Sequence, residues 1–401
     1  MNNDPVDSIF ENAINTRPLI KDRQALTIDY VPEKLQFRDE ETSAVAQAVS
    51  PILKGRRPSN LLLFGKPGSG KTAVVKNVTE KLIKKAKSLG SEITIVMVNA
   101  KTAKTPYRVL FEIAQKTGLN DEGRKVHFTG LSMGEATIRI LEFIQRKKLH
   151  VILVIDEIDS IAGKDDGILY SFTRANEKMS EGGFVGLIGI SNSLTFKEKL
   201  DPRVTSSLSE EELVFNPYTV DQLQKILADR VKIAFYDRAV SDAAINLCAA
   251  MAGRDHGDAR KAINLLRVAA ENAEMEGAAQ VEEKHVKSAQ EKIDKDLPYM
   301  ALKNSTTHTK FVVLAIANAK TGNTGEVYQI YASLCKSAET DPLTQRRVTQ
   351  IVNDLDLLGL VTTEVVSQGR YGRSQRMRVA VPVDKIKEAL GDDPSFANAL
   401  L

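Results

Sequence analysis

The segment Gly65–Thr72, with the sequence GKPGSGKT, has the residue types and spacing of a phosphate-binding loop. It matches the pattern G-x-x-x-x-G-K-[ST], and the apolar run Leu61–Phe64 before it is typical of a strand, while Thr72–Ser88 has helical periodicity. In that context the glycines let backbone N–H groups point at phosphate oxygens, and the dipole of the helix favours the same negative charge. Without those flanking elements the pattern would indicate only a glycine-rich turn with an exposed lysine.

Two side chains of this loop have predicted roles of their own. Lys71 would reach the β- and γ-phosphates of a nucleotide, and the Thr72 hydroxyl would bind Mg²⁺. The residues predicted to contact the nucleotide in this segment are Gly65, Pro67, Gly68, Ser69, Gly70, Lys71, Thr72 and Ala73.

A pair of carboxylates follows a second apolar run, Val151–Ile155. Asp156 would emerge at the carboxyl end of that strand beside the loop, where it can hold Mg²⁺ through water. Glu157 is then placed to orient or deprotonate an attacking water. For an isolated motif the alternative is a solvated acidic pair. Guanine-specific sites usually carry Asn-Lys-x-Asp, which is absent here, so we expect ATP and ADP as the nucleotides.

The elements that must position these groups form an α/β core over residues 1–216. Apolar runs typical of doubly covered strands alternate with helical stretches, which predicts a parallel sheet flanked by helices. The predicted strands are Leu61–Phe64, Ile93–Val98, Val151–Ile155 and Phe184–Ile190, and the helices between them are Thr72–Ser88 and Gly134–Arg146.

A small helical domain is predicted over residues 217–297. Thr219 followed by Gln222 makes a capping box, Ser241 has the type of an N-cap, and Gly257-Asp258 precedes a helix that begins near Ala259. A charged helix over Lys284–Lys295 is expected to end before Pro298, because the residue ahead of a proline is disfavoured in the helical region. We place a domain boundary there.

The last segment, residues 298–401, has the order helix, helix, helix, strand, strand, which predicts a winged helix. The expected helices are Lys310–Ala319, Glu326–Lys336 and Thr344–Leu358, the last begun by Asp341-Pro342 as N-cap and N1 proline, and the expected strands are Val361–Val366 and Gln375–Val381. An apolar stripe on the third helix comprises Val348, Ile351, Val352, Leu355 and Leu358.

The other face of that helix and the hairpin after it carry groups that can bind DNA. Polar and basic side chains on the helix suit base edges and phosphates in a major groove. The hairpin segment Val366–Arg378 holds four arginines and no acid, and arginine favours a narrow minor groove. A protein-binding surface is the alternative. The predicted DNA contacts are Arg346, Arg347, Thr349, Gln350, Arg370, Tyr371, Gly372, Arg373 and Arg376.

Composition sets wider limits. The chain has 401 residues and a net charge of +3, so its total charge does not indicate a nucleic-acid partner and any such surface must be local. Cys248 and Cys335 lie far apart without ligand spacing, which argues against a disulfide framework or a zinc site. No apolar stretch is long enough to span a membrane and the start resembles no signal peptide, so we expect a cytoplasmic protein without a membrane partner.

The phosphate loop, the Asp156-Glu157 strand end and the trailing helical domain together resemble the AAA+ ATPases. With the winged helix added, the chain resembles the archaeal initiators related to the largest origin recognition complex subunit and to its cell-division-cycle helicase-loading relative. The matches that carry this resemblance lie in order along nearly the whole chain: Tyr30–Glu33, Phe37–Glu40, Leu200–Val204, Phe215–Thr219 with Leu223, Ile226, Leu227 and Arg230, and Gly257–Ala262.

The resemblance implies roles for several residues outside the two motifs. Asn192 resembles sensor 1, which positions the lytic water, and Arg260 resembles sensor 2, which brings a guanidinium to the phosphates. Tyr218 and Arg230 would flank the nucleotide. Tyr30, Val31 and Pro32 would form a wall of the adenine pocket.

Arg203 resembles the arginine finger that acts in trans on a neighbouring subunit's ATP, or it is a local ion-pair partner. Many AAA+ proteins carry Ser-Arg a few residues later, where this chain has Ser206-Ser207. That departure fits slow hydrolysis by separate protomers.

The function implied is that of an ATP-dependent replication initiator. It would bind double-stranded origin DNA through the winged helix and through the segment leading into Glu135–Arg146, associate with other initiator protomers, and recruit or load the replicative helicase. The alternatives are a clamp-loader-like AAA+ subunit and a nucleotide-switched DNA-binding regulator.

Overall fold

The computed structural model describes residues 18–119, 131–161, 166–179, 183–193, 195–208, 211–254, 256–367, 373–381, 386 and 390. The chain divides into two compact units, Met1–Val286 and Lys287–Leu401. Each unit has its own hydrophobic core, and each is described separately below.

The first unit contains a five-stranded parallel sheet, which confirms the predicted fold class. Its strands are β1 Leu61–Gly65, β2 Ile93–Asn99, β3 His150–Asp156, β4 Phe184–Ser191 and β5 Glu211–Phe215, in the spatial order β2-β3-β4-β1-β5. The four predicted strands are all present. The fifth was not predicted, because β5 is a short edge strand that begins with Glu211-Glu212 and has no continuous apolar run.

Helices cover both faces of this sheet. Those of the core are α1 Asp39–Val49, α2 Lys71–Ser88, α3 Ala100–Ala103, α4 Pro106–Lys116, α5 Met133–Arg146, α6 Asp166–Thr173, α7 Ala175–Lys178 and α8 Pro202–Leu208. Successive residues of β1 point to opposite faces. Leu61 and Leu63 pack with α1 and α2, whereas Leu62 and Phe64 pack with α4, α5 and α6. Double coverage explains why the central strands are uniformly apolar.

Four further helices begin after the sheet: α9 Val220–Ala234, α10 Asp242–Arg254, α11 Ala259–Met275 and α12 Glu283–Lys303. The predicted caps are confirmed. Thr219 and Gln222 form a reciprocal capping box, the Ser241 hydroxyl accepts from the Ala244 N–H, and the Asp258 carboxylate accepts from the Arg260 N–H.

The predicted end of the helix before Pro298 is wrong. Helix α12 continues through Pro298 to Lys303, and the division between the two units falls within it. A proline removes one N–H bond and crowds the carbonyl four residues earlier, which disfavours a helix but does not always end it.

The second unit is a winged helix, as predicted. Its later helices are α13 Thr307–Asn318, α14 Thr324–Ser337 and α15 Gln345–Leu357, followed by the antiparallel pair β6 Val361–Ser367 and β7 Arg373–Val379. Its hydrophobic core contains side chains from the three helices and from the hairpin. Among the buried residues are Phe311, Tyr331, Val352, Leu355 and Met377.

Two predictions for α15 are wrong. Asp341 and Pro342 do not begin the helix, because Thr344 is the N-cap and the chain before it is held by a bond from the Leu343 N–H to the Tyr331 hydroxyl. Leu358 is 53% exposed and does not belong to the buried stripe, because the helix ends at Leu357 and the chain turns away.

Candidate nucleotide site and nucleic-acid interface

A cavity of about 610 Å³ opens at the carboxyl edge of the sheet, and residues from the core and from α9 and α11 line it. Most of the residues predicted for the nucleotide meet there: Tyr30, Val31, Pro32, Pro67, Gly68, Gly70, Lys71, Thr72, Ala73, Asp156, Glu157, Asn192, Tyr218, Arg230 and Arg260. Gly65 and Ser69 belong to the same loop but do not line the cavity, and Ser69 is buried beneath it.

Lys71 is the first residue of α2, and its ammonium group lies at the centre of the site. It donates to the carbonyl oxygens of Gly65 and Lys66 at 2.7 and 3.0 Å and to Asn192 Oδ1 at 3.0 Å. Burial lowers the pKa of Lys71 to about 8, and the carboxylate of Asp156 opposes this shift.

The hydroxyl and carboxylate predicted for Mg²⁺ are adjacent. Thr72 Oγ1 donates to Asp156 Oδ2 at 2.9 Å, and Asp156 is the last residue of β3. A hydroxyl and a carboxylate oxygen are the hard donors that Mg²⁺ accepts together with phosphate oxygens and water. The residues present therefore fit a site for that ion.

Glu157 and Asn192 lie beside one another at the same edge. Glu157 adopts a left-handed backbone conformation, with φ of 52°, immediately after β3. Asn192 follows β4, and its Nδ2 is 3.5 Å from Glu157 Oε1 while its Oδ1 accepts from Lys71. A carboxylate and an amide next to the lysine can orient a water against a bound phosphate.

The N-terminus of α11 contacts the phosphate loop directly. The Ala259 N–H donates to the Gly68 carbonyl at 3.3 Å, and a side chain at Gly68 would place its Cβ 1.8 Å from Asp258 Oδ1. Gly68 is therefore required by this close approach as well as by its φ of 74°. Arg260, the second residue of α11, pairs with Asp258 at 3.3 Å and is half exposed toward the cavity.

The opposite end of the cavity is aromatic and apolar. The Arg230 guanidinium lies 4.5 Å from the centroid of the Tyr30 ring and donates to the Ala25 carbonyl. Val31 and Pro32 line the same end. Flat and apolar side chains with one cation suit a planar base.

Tyr218 lies between the last strand of the core, β5, and helix α9. It is 6% exposed, and its hydroxyl would be 2.7 Å from a Cβ on Gly70, so it packs against the phosphate loop. Burial raises the pKa of Tyr218.

Arg38 is a buried residue that sequence reasoning missed as part of the site. Its Nε donates to the Ser69 carbonyl, another of its nitrogens donates to the Asn216 carbonyl, and its guanidinium lies 4.2 Å from the centroid of the Tyr218 ring. Arg38 lies within a segment that resembles the family, but nothing in its spacing indicated a contact with the loop.

Arg203 does not line the cavity. It lies on α8, is 75% exposed, and makes a bidentate pair with Asp201 through Nε at 3.0 Å and a terminal nitrogen at 2.8 Å. Its side chain is therefore directed by a neighbour two residues away and not by this chain's own phosphate site. Ser207, on the same helix, bonds to the Thr173 hydroxyl and to the Arg203 carbonyl.

The polar face of α15 is exposed, as a groove-reading surface requires. Gln345, Arg346, Arg347, Gln350 and Asn353 are exposed and Thr349 is partly buried. Arg347 donates to Gln350 Oε1 at 2.9 Å, while Thr349 donates to the Gln345 carbonyl at 3.0 Å.

In the hairpin, Arg376 is exposed and its Nε donates to the Thr321 carbonyl. Arg373 is the first residue of β7. Arg370, Tyr371 and Gly372 lie outside the described residues, so their predicted contacts remain predictions.

Two negative findings apply to the described part of the chain. No helix there is long and apolar enough to cross a membrane. In the same residues no three His, Cys, Asp or Glu side chains cluster as an all-protein metal site. The second finding is compatible with Mg²⁺, which usually binds through one or two protein ligands plus phosphate and water.

Comparison with known proteins gives matches along almost the entire chain. Family models match an AAA domain at residues 55–192, a Cdc6 AAA+ ATPase-type lid domain at 224–291 and a CDC6 C-terminal winged helix domain at 300–389. An ORC1-type DNA replication protein of Cenarchaeum symbiosum is 44% identical over 99% of this chain and 97% of that protein. One from Thermococcus kodakarensis is 43% identical over 98% and 96%.

A solved structure, the Aeropyrum pernix ORC1 protein in complex with DNA, superposes with a TM-score of 0.85. It is 40% identical to this chain, and the match covers 95% of this chain and 98% of that one.

Proposed function

Since the chain belongs to the family of ORC1-type DNA replication proteins, we propose that it is a replication initiator whose state is set by binding and hydrolysis of ATP. The observation that supports this most directly is that Lys71, Glu157, Asn192 and the lid residue Arg260 all line one cavity. A phosphate-binding lysine, a carboxylate, an amide and a second cation are the groups that ATP hydrolysis uses.

In the proposed reaction the triphosphate lies along the loop, with Lys71 against the β- and γ-phosphates and the base between Tyr30 and the α9 side of the cavity. Asn192 holds the attacking water in line with the γ-phosphate, and Glu157 accepts its proton as the water oxygen bonds to the γ-phosphorus. The bond from that phosphorus to the β–γ bridging oxygen breaks, and ADP leaves with the electron pair. Thr72 and Asp156 would hold Mg²⁺, which neutralises charge on the phosphate oxygens when bound.

Arg260 supports the proposal that nucleotide state changes the lid. It is carried by α11, whose N-terminus already touches Gly68, and a γ-phosphate would compete with Asp258 for its guanidinium. Bound ATP and bound ADP would therefore make different contacts with α11. A nucleotide switch requires such a difference between its two states.

Hydrolysis is proposed to be slow in a separate protomer. The role proposed for Arg203 is in trans, and its pairing with Asp201 is compatible with a side chain that awaits a phosphate from another copy.

The proposed DNA partner follows from the winged helix and from the relative in complex with DNA. Arg346, Gln350 and their neighbours on α15 would enter a major groove, and the hairpin arginines would follow the minor groove. The start of α5 is proposed as a second contact. A protein bound to chromosomal origins would act at the nucleoid, with other protomers and the replicative helicase as partners.

The proposal is tested with the full chain on genomic DNA of its organism, by footprinting with ATP and with ADP. We expect one repeated protected sequence whose occupancy differs between the two nucleotides. Wild type should hydrolyse bound ATP in a single turnover, and Glu157→Gln should not. Hydrolysis without a protected site would favour a clamp-loader-like subunit, whereas a protected site without hydrolysis would favour a nucleotide-switched regulator.

A further inference from the structure

Asp159 lies in a short 3-10 turn, Ile158–Ser160, directly after the Asp156-Glu157 pair. Its Oδ1 accepts two hydrogen bonds from the neighbouring strand's end, one from the Asn192 N–H at 3.2 Å and one from the Ser191 hydroxyl at 2.9 Å. Asp159 does not line the nucleotide cavity. It therefore contacts residues of the site without lining the cavity itself.

These two bonds define the backbone that carries Asn192. Ser191 is fully buried, and its hydroxyl also accepts from the Ser193 N–H at 3.0 Å. The carboxylate of Asp159 consequently holds the chain over three successive residues, Ser191 to Ser193. Without it, the Asn192 N–H would lose its acceptor, and the buried Ser191 hydroxyl would be left with the Ser193 carbonyl at 3.0 Å.

Asp159 holds the backbone of Asn192, whereas the side chain of Asn192 contacts groups of the phosphate site. It is exposed at the end of β4, and its amide meets Lys71 at 3.0 Å and Glu157 at 3.5 Å. Asp159 also belongs to the turn that follows Glu157, since the Ser160 N–H donates to the Glu157 carbonyl. One side chain thus ties together the ends of β3 and β4, which carry the carboxylate and the amide.

We propose that Asp159 is a positioning residue that sets Asn192 against Glu157 and Lys71, and so acts on the hydrolytic step rather than on nucleotide binding. This inference rests on the proposed ATP hydrolysis. A displacement of a catalytic group by about 1 Å can cost on the order of a hundredfold in rate, so the backbone anchor of such a group has a measurable effect.

Charge and geometry can be separated at this position. Burial lowers the pKa of Lys71, and Asp159 is one of the carboxylates whose negative charge opposes that shift. Asp159→Asn removes the negative charge but leaves a carbonyl oxygen with two lone pairs, which can accept both bonds. Asp159→Ala removes charge and acceptor together.

The first test measures ATP affinity and single-turnover hydrolysis in the full chain. Asp159→Ala should slow hydrolysis at least about tenfold, as second-layer hydrogen-bond partners do, with ATP affinity within about threefold of wild type. Asp159→Asn should stay within about threefold of wild type in both ATP affinity and hydrolysis rate.

In an Asn192→Ala background Asp159→Ala should cause no further loss of hydrolysis rate, because the group it positions is gone. An equal loss of affinity, an Asn variant as slow as the Ala variant, or additive losses would overturn the proposal.

The second test does not depend on hydrolysis. Hydrogen–deuterium exchange of the peptide around Asn192 should be slow in wild type and Asp159→Asn, and faster in Asp159→Ala. Fast exchange in wild type would overturn the inference. If wild type shows slow exchange but no hydrolysis sensitive to Glu157→Gln, the proposed function fails while the anchor itself stands, so the two failures are distinguishable.

Discussion

Lys71 shows how burial can change the pKa of a single residue. Burial takes its ammonium group out of water, and the carboxylates of Asp156, Asp159 and Asp258 compensate only in part, so the pKa of Lys71 falls to about 8. A bound polyphosphate favours the charged form and raises that pKa again. The binding of nucleotide is therefore coupled to protonation.

We expect ATP affinity to fall as pH rises through about 8, because a growing fraction of Lys71 must then take up a proton on binding. Below that value Lys71 is already charged and the dependence should be flat. Isothermal titration calorimetry at pH 8.5 in buffers of different ionisation enthalpy measures the proton uptake directly. Lys71→Arg serves as the control, since a guanidinium stays charged. Equal uptake in both proteins would contradict the assignment.

Asp258 makes three contacts, and one of them, the ion pair with Arg260, would compete with a bound phosphate. It caps α11, it packs against Gly68, and it pairs with Arg260 at 3.3 Å. The pairing keeps the guanidinium near the loop but competes with any phosphate for it.

Asp258→Asn should therefore strengthen binding of ATP by a few fold, because asparagine caps helices as well as aspartate does and no longer holds Arg260 by charge. ADP affinity should change less. The measurement is fluorescent-nucleotide titration in the wild-type and the Arg260→Ala backgrounds, and the gain should be absent in the second. A gain of the same size in both backgrounds would show that Asp258 acts on the phosphates and not through Arg260.

At the scale of elements, Arg38 connects parts of the first unit that are distant in sequence. It reaches from the start of α1 to the loop at Ser69 and to Asn216, just before the lid helices, while Tyr218 covers its guanidinium. The Glu41 carboxylate forms an ion pair with the Arg38 guanidinium at 2.8 Å. These bonds fix the loop to the junction from which α9 starts.

Arg38→Met should lower the free energy of unfolding by about 3 kcal/mol, because it leaves two carbonyls and a partly buried carboxylate without their donor. Urea unfolding monitored by circular dichroism gives this value. Arg56→Met, at an exposed arginine, is the matched control and should change stability by less than about 0.5 kcal/mol. If the free energy of unfolding of Arg38→Met matches that of the control, Arg38 does not fix the phosphate loop to the junction before α9.

Elements with a strong apolar pattern were predictable from the sequence, and those defined by tertiary context were not. The central strands and the helices with capping boxes were identified with small differences in their ends. Strand β5 was missed because only its pairing with β1 makes Glu211-Glu212 part of a sheet. Helix α12 continues past Pro298 although proline disfavours a helix interior, and α15 begins after Thr344, where the bond from the Leu343 N–H to the Tyr331 hydroxyl holds the preceding chain.

The site follows the same division. Motif spacing predicted the neighbours Lys71 and Thr72 and the neighbours Asp156 and Glu157, and the two pairs meet because both follow strands of one parallel sheet at its carboxyl edge. The contacts of Asp159 and Arg38 could not be foreseen. Each joins segments whose separation in sequence carries no periodic signal, such as Arg38 and Asn216.

At the scale of the whole molecule, the net charge of +3 conceals a local concentration of cations. The segment Val366–Arg378 has four arginines and no acid, and α15 adds Arg346 and Arg347 on its exposed face. The proposed binding of a polyanion by the winged helix is therefore compatible with a chain that is nearly neutral as a whole, and we expect its affinity to depend on salt because each phosphate contact would release counterions.

The two surfaces proposed to bind DNA should respond differently to substitution. Arg370→Ala with Arg373→Ala should weaken binding to all duplexes and reduce the slope of log affinity against log salt by up to about two, since each lost phosphate contact removes about 0.9. Arg346→Ala should instead lower preference for the recognised sequence by about 1 to 3 kcal/mol, because a base contact carries sequence information. Fluorescence anisotropy with origin and random duplexes over a salt series measures both quantities in the full chain.

Lys71→Ala is the control for the nucleotide site and should leave the salt slope unchanged. An unchanged slope in the hairpin double variant would mean that the wing binds protein, and Arg346→Ala with unaltered preference would remove α15 from base recognition.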